Sequence, residues 1–288
     1  MRSEVIFFLQ KNSFSLFAEF VEYGISFRVS NSILPNPLCP EEGECMLDFN
    51  VSDLLLPERS GIISLVGAGG KTSLMFQLAR EIAARGQRVL TTTTTRIFSP
   101  TPEEARLTVI TEDPLAWLRQ TQNPFEENLH LTLARQTLAG NKLQGFPPET
   151  VDALWETGLF DWILVEADGA AGRPIKAPAA HEPVIPGRTD CAVAVLGLQG
   201  FGRPLDGRWY FRPAIFAELS GCREGDRVSL GDLARVLVHD QGIMKGTPAG
   251  AERALFLNQA DDARQLGIGR RFLQVLEERY PGFFDRYA

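Results

Sequence analysis

The chain has 288 residues, of which 44% are hydrophobic and 23% are charged, and these values exclude collagen-like, coiled-coil and largely disordered proteins. Its formal net charge of −7 argues against nucleic acid or an anionic membrane as the main partner, because both attract basic surfaces. Its four cysteines form no C-x-x-C pair and are accompanied by only three histidines, so neither a zinc cage nor a disulfide framework is expected and a cytoplasmic location is favoured.

The first 45 residues differ from the rest of the chain. They show no clear helix or strand period and end in a turn-rich stretch at residues 34–43, and Met46 follows soon afterwards. Two interpretations stay open: residues 1–45 are an extension foreign to the native protein, which then starts at Met46, or they are a native appendage packed on the main domain. The intact mass of the native protein distinguishes them. Residues 46–288 are predicted to form a single nucleotide-binding α/β domain.

From Gly61 onward, strand-like and helix-like segments alternate. Short apolar or β-branched runs predict strands at residues 62–66, 88–95, 107–110, 129–133, 162–165, 191–196 and 254–257. Helices are predicted after the first strand, ending at Gly86, and at residues 114–120, 150–157, 214–219, 230–238 and 262–278. All apolar runs are shorter than the roughly 18 residues of a membrane span. The alternation predicts a three-layer α/β fold whose mostly parallel sheet is covered by helices on both faces.

The turn from the first strand to the first helix has the sequence Gly67-Ala68-Gly69-Gly70-Lys71-Thr72-Ser73. Glycines let main-chain N–H groups surround an anion, and a helix N-terminus adds positive potential. We expect this loop to bind ATP or GTP, with Lys71 at the β- and γ-phosphates and the Thr72 hydroxyl on Mg²⁺, so the predicted fold is P-loop NTPase-like. The full pattern requires a glycine where this chain has Leu65, which makes the loop tighter or differently shaped. The alternative is an ordinary glycine-rich turn with an incidental lysine.

A threonine run, residues 91–95, and then Arg96 occupy the carboxyl end of the second strand. Open α/β sheets bind ligands at that edge. Thr95 is a candidate second Mg²⁺ ligand, and Arg96 is a candidate to neutralise charge during phosphoryl transfer. The alternative is β-branched filling of a strand, which we prefer for residues 91–93.

Two acids, Glu166 and Asp168, directly follow the apolar strand 162–165. In phosphoryl-transfer proteins an acid at this place binds Mg²⁺ directly or through water, so both are candidate metal ligands and catalytic groups. Residues 166–169 also match a D-x-x-G pattern with Glu in place of Asp, in which the Gly169 N–H would sense a γ-phosphate. Acids after a strand are alternatively solvated turn residues. Their combination with the lysine-containing loop favours the functional interpretation.

The segment after these acids is rich in glycine and carries Arg173 and Lys176, and it continues into His181-Glu182-Pro183. Two cations beside glycines predict a mobile loop that grips a phosphate or an anionic substrate. The alternative is a solvated connecting loop.

The last predicted strand leads into Asn258-Gln259-Ala260-Asp261, which is similar to the N-K-x-D element of GTP-binding proteins with Gln in place of Lys. An ionised Asp261 can accept two hydrogen bonds from guanine, whereas adenine presents an acceptor at N1. Asn258 and Asp261 are therefore candidate base-recognition residues. The alternative is a plain helix N-cap at Asp261, and the Gln leaves the choice between ATP and GTP open.

Three segments together resemble the YqeC family: residues 61–95 with GAGGKT, residues 165–181 with VEADGAAGRPIKAP, and residues 257–261 with LNQAD. The similarity extends from residue 47 to the C-terminus and leaves out residues 1–45, which favours the start at Met46. Proteins of that family are described as accessory factors for selenium-dependent molybdenum hydroxylases that help to make or insert a selenium-containing cofactor. The resemblance implies this process, with a molybdenum hydroxylase client or a cofactor-synthesis partner, rather than a particular reaction.

Three functions fit these features. The first is a Mg²⁺-dependent NTPase in which Lys71, Arg96, Glu166 and Asp168 are catalytic and hydrolysis drives a conformational step in cofactor maturation. The second is a small-molecule kinase or ATP-dependent ligase whose acceptor is held by Arg173 and Lys176. The third is a non-catalytic scaffold in which bound nucleotide only orders loops.

Overall fold

The computed structural model describes residues 50–288 apart from residues 122 and 127, so the predicted N-terminal extension and the alternative start at Met46 lie outside the described residues. The strands are β1 (Ile62–Gly67), β2 (Val89–Thr93), β3 (Arg96–Phe98), β4 (Thr108–Ile110), β5 (His130–Ala134), β6 (Gln136–Leu138), β7 (Lys142–Gln144), β8 (Trp162–Glu166), β9 (Ile175–Lys176), β10 (Thr189–Gly197), β11 (Tyr210–Phe211), β12 (Glu252–Asn258) and β13 (Arg286–Tyr287). The helices are α1 (Val51–Leu55), α2 (Lys71–Ala84), α3 (Pro114–Gln120), α4 (Pro148–Glu156), α5 (Pro213–Ser220), α6 (Leu230–Val238) and α7 (Ala263–Arg279).

Eight strands form one sheet in the order β13-β12-β10-β1-β8-β2-β5-β4. Every neighbouring pair in this sheet is parallel. The carboxyl ends of its strands therefore lie along one edge, where parallel sheets bind ligands. Because β1 pairs directly with both β8 and β10, the loops after these three strands are neighbours at the centre of that edge.

Side chains of the central strands point alternately to two faces, and both faces are covered. Ile63 and Leu65 of β1 pack with the helices α1 and α2, whereas Ile62 and Val66 of the same strand pack on the opposite face. That opposite face is covered by α3 and α4 at one end of the sheet and by α5, α6 and α7 at the other. Burial on both faces explains the continuous apolar runs in these strands. The predicted three-layer α/β fold with a parallel sheet is confirmed.

The second strand is shorter than predicted. Its side chains at Thr91, Thr92 and Thr93 are completely buried, as expected for strand residues. The strand ends at Thr93 because the Thr93 hydroxyl accepts a hydrogen bond from the Thr95 N–H at 3.0 Å, which turns the chain. Thr95 and Arg96 therefore lie beyond the sheet edge, at the start of a separate antiparallel sheet with the order β3-β7-β6.

The described residues contain no helix with both the length and the hydropathy that crossing a membrane requires. Two further strands, β9 and β11, pair in parallel beside the loop that follows β8. This pair and the β3-β7-β6 sheet stand on either side of the loop between β1 and α2.

Candidate functional site

The loop between β1 and α2 has a backbone that only glycine accommodates. Gly67, Gly69 and Gly70 have φ angles of +93°, +86° and +125°. A Cβ atom on Gly69 would lie 2.4 Å from the Gly197 nitrogen, and one on Gly70 would lie 2.1 Å from Asn258 Nδ2. The loop leads directly into the 14-residue helix α2, whose first turn has N–H groups without partners within the helix. This is the geometry expected of an anion-binding turn.

Lys71 is the first residue of α2, and its side chain is buried beneath this loop. Its Nζ donates a hydrogen bond to the Gly67 carbonyl at 2.6 Å. The same atom lies 3.2 Å from Asp168 Oδ1 and 3.6 Å from Glu166 Oε1. Burial by itself lowers the pKa of Lys71, but the two carboxylates outweigh it and raise the pKa. Lys71 is therefore a buried cation held at the mouth of the loop.

Thr72 and Glu166 form the second contact between the loop and β8. The Thr72 hydroxyl donates a hydrogen bond to Glu166 Oε2 at 2.6 Å. Burial raises the pKa of Glu166, and Lys71 and the Thr72 hydrogen bond offset part of that rise. A hydroxyl and a carboxylate side by side at a phosphate-binding turn are the oxygen ligands that Mg²⁺ takes in nucleotide sites.

Asp168 is fully buried and supports the loop from behind. Its Oδ2 accepts a hydrogen bond from the Gly67 N–H at 3.1 Å and lies 3.0 Å from Lys176 Nζ. Its Oδ1 makes no hydrogen bond, although it faces Lys71. Of the two predicted acids, Glu166 lines the cleft at the site and Asp168 does not.

The ion pairs continue away from the loop. Lys176 is completely buried, and its Nζ donates hydrogen bonds to Glu182 Oε2 and to the Gly169 carbonyl, both at 2.7 Å. Glu182 in turn accepts two hydrogen bonds from Arg212, at 2.6 and 3.1 Å. The Lys176 ammonium group contacts both Asp168 and Glu182 and does not line the cleft. Its contact with a substrate stays a prediction.

A cleft of about 790 Å³ opens over the loop. Its floor is formed by residues 69–73, its first wall by residues 94–98 with Lys142 and Gln144, and its second wall by residues 169–173 with Glu182 and Arg212. The predicted residues Thr95, Arg96 and Arg173 all lie in these walls. Thr95 Oγ1 is 3.2 Å from Thr93 Oγ1, and Arg173 Nε donates to the Gly207 carbonyl at 2.6 Å.

Asn258 and Asp261, predicted to read the base, do not line the cleft, whereas Gln259 of the same element does. Asn258 Nδ2 donates a hydrogen bond to the Gly69 carbonyl at 2.8 Å, which ties the end of β12 to the loop. Asp261 Oδ2 accepts a hydrogen bond from Gln199 Nε2 at 2.7 Å. The residue that begins α7 as its N-cap is Asp262, not Asp261, so the plain N-cap interpretation of Asp261 is wrong.

Four residues of this region were given no functional role from the sequence. They are Phe98 and Lys142 in the first wall and Glu182 and Arg212 in the second. In a strand, Arg96 and Phe98 share one face and Ile97 lies on the other. This alternation could have indicated that Phe98 lies beside Arg96. Glu182 and Arg212 are 30 positions apart, and no local pattern connects them.

The described residues contain no group of three or more His, Cys, Asp and Glu side chains that could enclose a metal ion. Mg²⁺ does not require such a cage, because it commonly binds one or two protein groups together with phosphate oxygens and water. The pair of Thr72 and Glu166 beside the loop fits this mode of binding.

The chain matches a protein-family model and a protein of known sequence, but no solved structure. Residues 63–214 match the model of a family described as YqeC protein. A protein of Escherichia coli (strain K12), named "Uncharacterized protein YqeC", is 39% identical over 230 residues, which cover 79% of this chain and 87% of that protein. No solved structure matches the chain significantly. Both matches include the loop, Glu166 at the end of β8 and Asp168 after it.

Proposed function

The chain belongs to the YqeC family, and from this premise and the geometry of the loop we propose that it is a Mg²⁺-dependent nucleotide-binding protein that hydrolyses a nucleoside triphosphate. The observation that carries the proposal is the convergence of three side chains on the glycine loop. Thr72 Oγ1 lies 2.6 Å from Glu166 Oε2, and Lys71 Nζ lies 3.6 Å from the other oxygen of the same carboxylate. A turn that merely connects a strand to a helix does not require a buried lysine or a paired hydroxyl and carboxylate.

Each residue has a separate task in this proposal. The N–H groups at the start of α2 and the ammonium of Lys71 bind phosphate oxygens, and Asp168 holds Lys71 and the Gly67 N–H in place. Thr72 and Glu166 hold Mg²⁺, which would neutralise charge on the transferred phosphoryl group. Glu166 is the acid that lines the cleft, so it is also the group that can orient an attacking water. Arg96, and Thr95 as a further ligand, would act from the first wall.

The base would contact Asn258 and Asp261, which do not line the cleft. Asp261 faces the Gln199 amide, which a base edge would replace as its hydrogen-bond partner. An ionised carboxylate at that position favours guanine, and the Gln in place of the usual Lys leaves ATP possible.

We further propose that this activity serves the maturation of selenium-dependent molybdenum hydroxylases, with such an enzyme as client. This part of the proposal is supported by the resemblance of the three quoted motifs to the YqeC family. The expected observation is that a host lacking this protein makes the hydroxylase polypeptide at its normal level with reduced hydroxylase activity. Equal hydroxylase activity with and without the protein would contradict the role.

Phosphate release tests the hydrolytic part of the proposal. We expect Mg²⁺-dependent release of phosphate from ATP or GTP that falls about a hundredfold in Glu166→Gln, because the neutral amide neither binds the metal nor orients water comparably. Glu149→Gln, an exposed change in α4, is the matched control and should leave the rate unchanged. A Glu166→Gln protein that releases phosphate at the wild-type rate would remove Glu166 from the mechanism.

A second candidate function is transfer of the phosphoryl group to an acceptor, as in a kinase or ligase. It is favoured by one observation: the cleft extends well beyond Lys71, to Arg96 and Arg173. Release that requires an added acceptor would identify transfer, and release stimulated only by a client protein would identify the NTPase. Nucleotide binding without turnover in either case would identify a scaffold.

A further inference from the structure

The walls of the cleft carry an excess of positive charge. Five cationic side chains line it, those of Lys71, Arg96, Lys142, Arg173 and Arg212, against two carboxylates. Both carboxylates already have partners, since Glu166 is bound to Thr72 and Glu182 to Lys176 and Arg212. The chain as a whole has a formal charge of −7, so this concentration of cations is local.

Three of these cations, Arg96, Lys142 and Arg173, are exposed and form no ion pair within the described part of the chain. A solvated surface of an acidic protein usually intersperses such groups with carboxylates. Cations gathered without carboxylate partners in a concave site raise the local concentration of anions. In the proposed function Lys71 and Arg96 act on the nucleotide's phosphates, and Arg212 is paired with Glu182, so Lys142 and Arg173 remain without an assigned role.

The first wall also presents an aromatic side chain to solvent. Phe98 is 63% exposed, although large hydrophobic residues are normally covered. It lies opposite Lys142 in the β3–β7 pair, and Lys142 Nζ is 5.1 Å from the centre of its ring. Arg96, two residues away on the same strand, shares this face. The face therefore combines a ring with two cations.

We infer that this wall binds a second, anionic ligand with a planar ring, whose phosphate or carboxylate contacts Lys142 and Arg96 and whose ring packs on Phe98. The inference rests on the proposed function for the position of the nucleotide. In the proposed function the base contacts Asn258 and Asp261, which do not line the cleft, so the nucleoside does not occupy the wall of Phe98 and Lys142. The ligand is an acceptor or cargo molecule that meets the γ-phosphate end of the nucleotide.

Titration of phenyl phosphate into the full-length protein saturated with a magnesium complex of AMPPNP or GMPPNP tests the inference. Phenol is the matched probe that lacks the phosphate charge, and inorganic phosphate is the matched probe that lacks the ring. We expect saturable binding of phenyl phosphate that weakens about tenfold in Lys142→Ala, because a charge-assisted hydrogen bond contributes that much. Phe98→Ala should weaken phenyl phosphate about tenfold and inorganic phosphate less than twofold. Arg135→Ala, an exposed change that lies outside the cleft, should weaken neither.

The outcomes separate this inference from the proposed function. Phenyl phosphate that competes with the nucleotide analogue, or that binds the Lys142→Ala and Phe98→Ala proteins as well as wild type, would overturn the second site while nucleotide binding stands. A protein that binds neither analogue would overturn the proposed function. In that case the same titration without nucleotide still decides whether the wall of Phe98 and Lys142 binds the probe.

Discussion

Lys71 is held as a charged side chain beneath the glycine loop, which is the state that the proposed phosphate binding requires. A buried lysine normally loses its proton more readily, yet Asp168 and Glu166 raise its pKa and keep it charged. Its hydrogen bond to the Gly67 carbonyl directs the side chain back beneath the loop. Phosphate oxygens can replace that carbonyl while Asp168 remains in contact. The desolvation of the lysine is thus already compensated before a nucleotide arrives.

Gly69→Ala tests the backbone of the loop. We expect it to lower the free energy of unfolding by about 2 kcal/mol and nucleotide affinity by at least tenfold, because L residues are strained at positive φ and the new Cβ meets the Gly197 backbone. Urea denaturation and equilibrium nucleotide binding measure the two effects.

Gly86→Ala is the matched control for this change. Gly86 has a similar φ of +78°, and a Cβ there would meet nothing within 4 Å. It should cost about 1 kcal/mol of stability from strain alone and leave nucleotide affinity unchanged. Equal loss of affinity in the two variants would show that the close packing of Gly69 is not required for binding.

At the scale of elements, the segment after β8 is tied to its surroundings by charge. Hydrogen bonds join Arg212, after β11, to Glu182 and join Glu182 to Lys176 in β9, and an ion pair joins Lys176 to Asp168. Burial by itself raises the pKa of Glu182, but the hydrogen bonds from Arg212 and Lys176 outweigh it and lower the pKa to about 2. The position of Asp168 under the loop therefore depends on residues in two other elements.

Glu182→Gln should reveal this dependence in the stability of the protein. Because the folded-state pKa lies below the ordinary value of 4.5, the contribution of Glu182 is complete above that pH and is lost as the pH falls towards about 2. We expect the variant to lose about 3 kcal/mol near pH 6, since it removes one of the two carboxylate partners of the buried Lys176 and the carboxylate that pairs with Arg212. Its free energy of unfolding, measured in urea, should fall less steeply than wild type between pH 5 and 3.

Glu156→Gln provides the comparison for an exposed ion pair. Glu156 pairs with Arg188, and both side chains are 56% exposed. Solvent screens such a pair, so this variant should change stability by less than about 1 kcal/mol. If Glu182→Gln behaves like Glu156→Gln at every pH, the buried ion pairs do not support the segment.

The central strands and helices could be predicted because the spacing of their apolar residues indicates directly which side chains are buried. The apolar runs of β1, β8 and β10 and the helical spacing in α2 and α6 reflect packing on two faces of one sheet, which is a local property of the sequence. The short strands β3, β6 and β7 were not predicted. They are only three residues long, and each is partly exposed, so their pattern is set by pairing with distant segments.

Some residues of the candidate site could likewise be predicted from local sequence, and others could not. The loop residues, Glu166 and Asp168 were recognised because they lie at or just beyond the carboxyl ends of β1 and β8. The ends of adjacent parallel strands necessarily meet. The sequence could not show that Lys176 is buried or that Glu182 binds Arg212, since those contacts depend on how β9 and β11 pair. Phe98 and Lys142 likewise meet only through the β3–β7 register.

On the scale of the whole molecule, the sheet brings two sets of residues to one loop. The end of β12 reaches the loop through Asn258, and the cleft opens on the side of β2 and β8. In the proposed function this arrangement would give a nucleotide and a second ligand separate approaches to the γ-phosphate position. The local excess of cations in an acidic chain favours anions as ligands on the cleft side.

The most direct test is the equilibrium binding of magnesium ATP and magnesium GTP to wild type, Lys71→Ala and Arg85→Ala. Arg85 caps the far end of the same helix and pairs with Asp53, so its loss controls for damage to α2. The account predicts saturable, Mg²⁺-dependent binding of at least one nucleotide that weakens at least tenfold in Lys71→Ala and stays unchanged in Arg85→Ala, with both variants folded by circular dichroism. Wild-type affinity in Lys71→Ala, or no binding of either nucleotide to the wild-type protein, would contradict it.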